Sequence, residues 1–321
     1  MPVLDMPLEE LKKYQGINPK PHDFDEFWDK ALADLDKIDP KVEIKPYEFS
    51  SSLADAFTLT YTSTGGARIY AKLMIPKGAE GKKLPAVIFF HGLSGSSPLW
   101  TSLLPYAAEG YVVAALDSRG QGGYSQDVGS KSGTSYSTPL TRGIGEDPAD
   151  MLGVQLFLDT AMIAKIVMNM DCVDETRVAT RGGSQGGALT IACAALVPEI
   201  KLCIPDFPYM SDYKRVWEMD LDIDAYEGIK YCLRHFDPRH ERVDEFFTML
   251  GYIDIQHLAP RIKAQVLMGT GLLDNICPPS TQFAAYNKIT SKKDVVIYPD
   301  FKHEDLWGHA DIVFNFIKNN L

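Results

Sequence analysis

From residue 84 onward, short apolar segments alternate with segments of helical periodicity, and this alternation most constrains the fold. The predicted strands are residues 86–90, 112–116, 177–180, 201–204, 264–270 and 295–298. The predicted helices are residues 100–109, 151–168, 187–196 and 280–289, with a last helix running to Leu321. Apolar strands that alternate with helices indicate a parallel sheet covered on both faces. Functional groups should then lie on loops at the carboxyl ends of the strands.

The chain before residue 84 is predicted to form a helical extension followed by strands. Asp23 and Glu26 have the spacing of a capping box, and apolar residues then fall on one helical face. We therefore expect a helical extension over residues 1–40. Residues 56–61 and 69–75 are short β-rich runs separated by a pair of glycines, which is typical of neighbouring strands.

Two stretches interrupt the alternation within what we predict to be a single α/β domain over residues 1–321. Residues 117–148 are rich in glycine and serine and are predicted to form a long loop. Residues 207–258 carry aromatic side chains that show helical spacing in places. We interpret this second stretch as a helical cap inserted between two strands of the sheet.

Charge and composition exclude several classes of partner and location. The formal net charge is -11, from 32 Lys+Arg and 43 Asp+Glu, which disfavours nucleic acids and anionic membranes as partners. No run approaches 18 apolar residues, and the first residues lack the basic start and apolar centre of a signal peptide. The five cysteines are scattered without a CxxC motif, so we expect free thiols and a cytoplasmic location.

The segment Gly182-Gly183-Ser184-Gln185-Gly186 has the G-x-S-x-G pattern of a nucleophile elbow. Such a turn exposes a serine hydroxyl, and its glycines lie where the crowded backbone leaves no room for side chains. An apolar β-run precedes the pattern and a helical segment follows it, as the motif requires. We predict Ser184 as a nucleophile. The competing interpretation, a glycine-rich turn with an inert serine, is disfavoured by this context.

A serine hydroxyl needs a base to accept its proton, and histidine suits this role because its pKa lies near neutrality. The histidines that follow Ser184 are His235, His240, His257, His303 and His309. His303 lies just past an apolar strand and before the last helix, so we predict it as the base. His309 falls inside that helix and is expected to be partly exposed.

The acid that orients the histidine should lie between Ser184 and His303, on a loop after a strand. Asp274 follows the predicted strand 264–270 and meets this requirement. Asp300 is the rival, but it lies three residues before His303 and is expected to point elsewhere. The order serine, acid, histidine is that of the α/β-hydrolase fold, a mostly parallel twisted sheet with helices on both faces.

Ester or amide hydrolysis by such a serine also needs donors for the developing oxyanion. We predict the backbone N–H groups of Gln185, directly after the nucleophile, and of Leu93, in the loop after strand 86–90. His91, at the start of that loop, is expected to have a structural role. Glu304 is expected to cap the N-terminus of the last helix, where a carboxylate is favoured.

Arg119 and Gln121 follow the predicted strand 112–116, at the start of the long loop. A buried arginine there would pin the nucleophile and histidine loops through hydrogen bonds to backbone carbonyls. We prefer this supporting role for Arg119 to direct contact with substrate.

Taken together, these motifs resemble one family, the acetyl xylan esterases and cephalosporin C deacetylases of carbohydrate esterase family 7. That family carries the signatures R-G-Q, G-x-S-Q-G and H-E. They occur here in the same order, as Arg119-Gly120-Gln121, Gly182-Gly183-Ser184-Gln185-Gly186 and His303-Glu304. The resemblance extends to Asp206-Phe207-Pro208-Tyr209, so Pro208 and Tyr209 are included among the residues expected to support the site, with Arg119 and Gln121.

The resemblance implies removal of acetyl groups from acetylated sugars and oligosaccharides, and often from cephalosporin C. It implies no metal and no organic cofactor, and assembly into hexamers with active sites opening into a central cavity. Some relatives also form peracids from hydrogen peroxide and short esters. Relatives usually carry H-G-Y where this chain has His91-Gly92-Leu93, so a tyrosine ring that lines their pocket is absent here.

Two other functions remain open at this point. One is different acyl chemistry on the same fold, as in a peptidase or a short-chain esterase of other specificity, which the dependence of rate on acyl chain length would separate. The other is a hydrolase-like binding protein without catalysis. Labelling by a fluorophosphonate probe, which requires an activated serine, would separate that alternative.

Overall fold

The computed structural model describes residues 4–128, 139–145 and 147–321, and these residues contain one nine-stranded sheet. The strands are β1 (Glu43–Pro46), β2 (Ala54–Thr62), β3 (Arg68–Pro76), β4 (Leu84–Phe90), β5 (Val112–Leu116), β6 (Val173–Gly183), β7 (Leu202–Asp206), β8 (Gln265–Gly271) and β9 (Lys293–Tyr298). Their order across the sheet is β1-β2-β3-β5-β4-β6-β7-β8-β9.

The α-helices pack around this sheet and in the connections between its strands. They are α1 (Leu8–Leu11), α2 (Phe24–Leu35), α3 (Trp100–Ala108), α4 (Leu152–Met168), α5 (Gln185–Leu196), α6 (Tyr213–Glu218), α7 (Glu227–Phe236), α8 (Val243–Gly251), α9 (Ile255–Leu258), α10 (Pro279–Lys288) and α11 (His309–Asn320). No helix of the described residues has both the length and the apolar character that crossing a bilayer requires.

The strands from β4 onward confirm the predicted parallel sheet. β5, β4, β6, β7, β8 and β9 pair parallel with one another, whereas β1, β2 and β3 pair antiparallel and β3 joins this edge to β5, also antiparallel. The carboxyl ends of the parallel strands therefore meet along one edge of the sheet. This is the edge at which the sequence places its candidate functional residues.

Helices cover both faces of the sheet, as predicted. Alternate side chains of β4 enter opposite clusters, because successive residues of a strand point to opposite faces. Ala86, Ile88 and Phe90 pack into the cluster that contains α4 and α5. Val87 and Phe89 pack into the cluster that contains side chains of α3 and α11.

The N-terminal helix α2 is fixed by long-range contacts rather than by a capping box, so that prediction is wrong. The Asp23 carboxylate makes no cap hydrogen bond and accepts one from the Tyr252 hydroxyl instead. Trp28 is fully buried, donates from Nε1 to the Tyr252 carbonyl at 3.1 Å, and packs 5.9 Å from the ring of Phe157 on α4. The Asp23 side chain, which the local pattern assigned to the end of α2, therefore has a tertiary hydrogen-bond partner instead.

Helices α6 to α9 lie between β7 and β8, in the stretch predicted as an inserted cap. Tyr226 is fully buried there and packs edge-on against Tyr209 and Tyr213. Part of the other predicted interruption, residues 129–138 and 146 of the long loop, falls outside the described residues.

Candidate active site

Ser184 lies in the sharp turn between β6 and α5, with φ 57° and ψ −121°. This backbone conformation is rare for a side-chain-bearing residue and is typical of functional sites. The flanking glycines are required by close approach. A Cβ on Gly182 would lie 2.5 Å from the Phe90 carbonyl oxygen, and one on Gly186 would lie 2.2 Å from the same atom. The crowding of this turn therefore explains why the sequence pattern has glycine at both positions.

The structure brings the three predicted catalytic side chains together at the carboxyl ends of β6, β8 and β9. His303 Nε2 lies 2.9 Å from Ser184 Oγ. His303 Nδ1 lies 2.9 Å from Asp274 Oδ2. These side chains are separated by 119 and 29 positions in sequence, so the sheet and not the local chain creates their contact.

The Asp274 carboxylate is fully buried and accepts hydrogen bonds on both oxygens. Oδ1 accepts from the N–H groups of Ile276 at 3.0 Å and Cys277 at 2.8 Å, and Oδ2 also accepts from Gln282 Nε2 at 3.2 Å. Since an ionised carboxylate only accepts, His303 donates from Nδ1 and keeps Nε2 free to accept the serine proton. Asp300, the rival, is exposed.

The two predicted oxyanion donors flank the nucleophile. Gln185 is the first residue of α5, where a backbone N–H has no acceptor within the helix. Leu93 lies in the loop after β4, next to Gly92, on which a Cβ would lie 3.9 Å from Ser184 Cβ. Within the described residues, neither the Leu93 nor the Gln185 N–H donates a backbone hydrogen bond. Both remain available to a developing negative charge.

His91 lies at the start of the loop that carries Leu93, and both of its ring nitrogens have backbone partners. Its Nε2 accepts from the Ser118 N–H at 2.9 Å, and its Nδ1 lies 2.7 Å from the Gly92 carbonyl. Burial lowers the pKa of His91, so the neutral imidazole can accept at one nitrogen and donate at the other. This arrangement is structural, as expected.

Arg119 is fully buried, but its partners differ from those expected. Its guanidinium binds both carboxylate oxygens of Asp159 on α4, at 2.7 and 2.6 Å, and also Gln155 Oε1 at 2.7 Å. The prediction that Arg119 pins the nucleophile and histidine loops through backbone carbonyls is therefore wrong. A bidentate ion pair is the better match for a desolvated guanidinium, and it joins the loop after β5 to α4.

Gln121 is hydrogen-bonded to both segments that carry the predicted oxyanion donors. Its Oε1 accepts from the Ser94 N–H at 2.9 Å, and its amide pairs with that of Gln185. It therefore joins the loop that contains Leu93 to the first residue of α5.

Two predictions for the last helix are wrong. His309 is buried, with 3% of its surface exposed, and its Nε2 lies 2.8 Å from Asp206 Oδ1. It begins α11 rather than lying inside it, so its side chain points back to the strand ends. Glu304 does not cap this helix, because Gly308 occupies the N-cap position and the Glu304 carboxylate accepts from the Lys302 N–H instead.

Pro208 and Tyr209 support the turn from behind. The Tyr209 N–H donates to the Ser184 carbonyl at 3.0 Å, and the Tyr209 side chain is 2% exposed. Pro208 packs on the start of α5, where a Cβ on Gly187 would lie 3.0 Å from Pro208 Cα. Both residues therefore touch the elbow without presenting a free polar group to it.

Sequence reasoning overlooked Phe207 and Cys277 as site residues. The Phe207 ring lies edge-on to the His303 imidazole, with centroids 5.0 Å apart. Phe207 stood within a motif shared with the resembling family, which was a usable signal. Burial and the Asp274 carboxylate raise the pKa of Cys277, so its thiol stays protonated beneath the site.

The arrangement of Ser184, His303 and Asp274 can move a proton from a hydroxyl to an imidazole and hold the resulting charge. Among the described residues, no group of three or more His, Cys, Asp or Glu side chains could hold a metal ion.

Comparisons with known proteins agree on one family. The family model described as acetyl xylan esterase (AXE1) matches residues 1–320. The chain is 50% identical to acetyl xylan esterase 1 from Thermoanaerobacterium sp. JW/SL YS485, covering 98% of this chain and 99% of that one, with a TM-score of 0.96. It is 34% identical to an acetyl xylan esterase from Paenibacillus sp. R4, covering 98% and 100%, with a TM-score of 0.94.

Two further proteins are less similar to this chain. Acetyl esterase Axe7A of Xylanibacter ruminicola is 27% identical over 94% of this chain and 70% of its own length. Pyrococcus horikoshii acylaminoacyl peptidase is 18% identical, covering 89% of this chain and 43% of that one, with a TM-score of 0.56, which is a likeness of fold alone. The chain belongs to the acetyl xylan esterase family and is a carboxylic ester hydrolase, with acetyl esterase activity, built on the α/β-hydrolase fold.

Proposed function

We propose that this chain is a serine acetylesterase that releases acetyl groups from small acetylated carbohydrates, such as acetylated xylan fragments, through an acyl-enzyme. The observation that carries the proposal is the position of the His303 imidazole, 2.9 Å from Ser184 Oγ on one side and 2.9 Å from Asp274 Oδ2 on the other. A hydroxyl in that position loses its proton as it attacks, which is the activation that a serine nucleophile needs.

In the acylation step, Ser184 Oγ attacks the acetyl carbonyl carbon while His303 Nε2 takes the hydroxyl proton. The carbonyl oxygen becomes negative and is bound by the N–H groups of Leu93 and Gln185. Asp274 stabilises the imidazolium without taking its proton. When the carbon–oxygen bond to the sugar breaks, His303 gives the proton to the sugar oxygen, and the acetyl group stays on Ser184.

In the deacylation step, His303 takes a proton from water as the water oxygen attacks the acetyl-serine carbonyl. The same two N–H groups bind the second oxyanion. Cleavage of the bond to Ser184 Oγ returns the proton from His303 to the serine and releases acetic acid. Every group is then in its starting protonation state.

The names of the similar proteins, acetyl xylan esterase and acetyl esterase, support acetyl as the acyl group and a carbohydrate as the substrate. Hydrolysis of the acetyl ester of cephalosporin C belongs to the proposal as a second substrate. Arg119, Gln121, Pro208 and Tyr209 support the site rather than react. A hexameric assembly and a cytoplasmic location stay predictions.

The direct test is hydrolysis of a small acetyl ester and of acetylated xylo-oligosaccharides by the wild-type chain and by Ser184→Ala. Loss of the nucleophile should lower kcat by roughly 10⁶, as in a serine protease whose triad was dismantled. Ser102→Ala, an exposed serine on α3, is the matched control and should keep full activity. Full activity in Ser184→Ala would refute the serine mechanism.

A second measurement tests the acetyl group. Rates on esters of one alcohol with acyl chains of two to eight carbons should fall steeply beyond propionyl. A maximum at six or more carbons would reject acetyl specificity while leaving the serine mechanism intact.

A further inference from the structure

Both backbone polar groups of Ser184 are bound by one short segment, residues 206–209. The Ser184 N–H donates to the Asp206 carbonyl at 3.0 Å, and the Ser184 carbonyl accepts from the Tyr209 N–H at 3.0 Å. We infer that this segment positions both the nucleophile and the base, and that the hydrogen bond between Asp206 and His309 fixes it in place. The inference rests on the proposed function and assigns positioning roles to Asp206, Phe207 and His309.

The backbone of this region has an unusual conformation. Non-glycine residues with positive φ recur within six positions, at Phe207 (34°), Met210 (61°) and Asp212 (51°). Such conformations are costly and persist only where the surrounding structure imposes them, which makes them typical of functional sites. Here the Phe207 N–H donates to the Gly269 carbonyl at 2.7 Å, and the Met210 carbonyl accepts from the Ile255 N–H at 3.0 Å. The chain after β7 is thus bent against the elbow by hydrogen bonds from neighbouring elements.

The bend at Phe207 places its ring between the elbow and the base. One side of the ring faces Gly183, where a Cβ would lie 3.1 Å from the ring carbons. The ring also meets the His303 imidazole edge-on, at 5.0 Å and an interplanar angle of 70°. Because the ring is confined on one side, it limits how far the imidazole can rotate away from Ser184 Oγ.

The anchor of the segment is the buried contact between Asp206 Oδ1 and His309 Nε2, at 2.8 Å. The other nitrogen of His309, Nδ1, lies 3.2 Å from the Tyr298 hydroxyl, so both ring nitrogens have partners. The second oxygen of Asp206, Oδ2, lies 3.8 Å from the guanidinium of Arg181. With its nitrogens occupied and 3% of its surface exposed, His309 acts through Asp206 and not on substrate.

The contact between Asp206 and His309 depends on the close packing of β7 against β8 at Gly269. Gly269 is the β8 partner of Asp206 in register. A Cβ there would lie 2.6 Å from His309 Nε2 and 2.9 Å from Asp206 Oδ1. Any larger residue would separate the two groups. The contact therefore depends on residues from β7, β8 and α11, which together fix the carbonyl that binds the nucleophile N–H.

The test compares His309→Leu, His309→Gln and Gly269→Ala with the wild-type chain on a small acetyl ester. Active sites are counted by titration, so that kcat refers to folded enzyme. His309→Leu and Gly269→Ala should lower kcat by about 10²-fold, the cost of a displacement near 1 Å at a reacting centre, with KM changed by less than about threefold. The rate of serine labelling by a fluorophosphonate should fall in parallel. The amide of His309→Gln can still donate to Asp206 and should recover most of kcat.

The control is Trp28→Phe, which removes a buried hydrogen bond on α2 and should lower the melting temperature while leaving kcat per folded site unchanged. Unchanged kcat and labelling in His309→Leu would overturn the inference, and so would a His309→Gln variant as slow as His309→Leu. If Ser184→Ala keeps its activity, the proposed function fails instead, so the two failures are distinguishable.

Discussion

The side-chain amides of Gln121 and Gln185 form two reciprocal hydrogen bonds, of 2.9 and 3.0 Å, between the loop after β5 and the first residue of α5. Gln121 Oε1 also accepts from the Ser94 N–H, directly after Leu93. One side chain therefore connects the two backbone segments that carry the proposed oxyanion donors. Electrostatic stabilisation of an oxyanion depends on donors that are fixed before the reaction begins.

Gln121→Leu should lower kcat by about 10-fold to 10²-fold on a small acetyl ester, with little change in KM. The loss should be smaller than the 10²–10³ expected when a donor itself is removed, because the N–H groups remain but are less well fixed. Steady-state kinetics check the effect. Gln126→Leu, an exposed glutamine in the same loop, is the matched control and should behave as wild type. Equal activity of both variants would show that the amide pair is not needed.

Asp274→Asn should lower kcat by roughly 10⁴ while the fold is preserved, because an asparagine amide would favour the wrong tautomer of His303. The buried Asp274 carboxylate accepts from two backbone N–H groups, so one oxygen of the new side chain can keep those bonds. Asp300→Asn is the control, since Asp300 is exposed and should be dispensable. A larger loss in Asp300→Asn than in Asp274→Asn would reverse the assignment of the acid.

The sequence was sufficient for the parallel sheet and for the placement of Ser184, Asp274 and His303, because each depends on a local signal. Glycines mark the elbow, and short apolar strands mark the loops on which the acid and the histidine lie. The contacts between these residues then follow from the topology, since parallel strands end at a common edge. Contacts between side chains far apart in sequence carry no such signal.

Asp206 and His309 lie 103 positions apart, and Asp23 and Tyr252 lie 229 apart. Local reasoning assigned Asp23 to a helix cap and His309 to a partly exposed helix face, and both assignments failed for the same reason. A buried polar side chain needs a hydrogen-bond partner, and tertiary packing determines which residue supplies it. Arg119 is buried, as its supporting role required, but its partner on α4 was not foreseen.

Arg119→Met should destabilise the fold by about 3–5 kcal/mol, since it leaves the Asp159 carboxylate buried without its counter-charge. Both side chains are almost fully buried, at 0% and 1% exposure. Urea unfolding followed by circular dichroism measures the free energy of unfolding. Arg261→Met removes an arginine whose partners Asp25 and Asp29 are exposed, so it should cost about 0–1 kcal/mol. A similar loss of unfolding free energy in the two variants would show that burial does not determine how much each ion pair contributes to stability.

The proton that His257 gains on unfolding should oppose folding in mild acid. Burial and the positive charge of Lys288 lower the pKa of His257 from 6.5 to about 3, and its Nε2 has no hydrogen-bond partner within the described residues. The imidazole is therefore neutral in the folded chain at pH 5, whereas it is protonated in the unfolded chain. Because the pKa of this base is lower in the folded chain than in the unfolded chain, its contribution to the free energy of unfolding is complete above pH 6.5. That contribution is lost as the pH falls toward 3.

Between pH 7.5 and pH 5 this linkage should lower the free energy of unfolding by about 2 kcal/mol, from 1.36 kcal/mol per pH unit below the unfolded pKa. His257→Asn places a polar side chain that gains no proton in this range, so its stability should vary less with pH. Urea unfolding at several pH values between 5 and 7.5 measures the slope. His235→Asn changes an exposed histidine and should keep the wild-type slope. If His257→Asn also keeps that slope, His257 does not contribute to the pH dependence of stability.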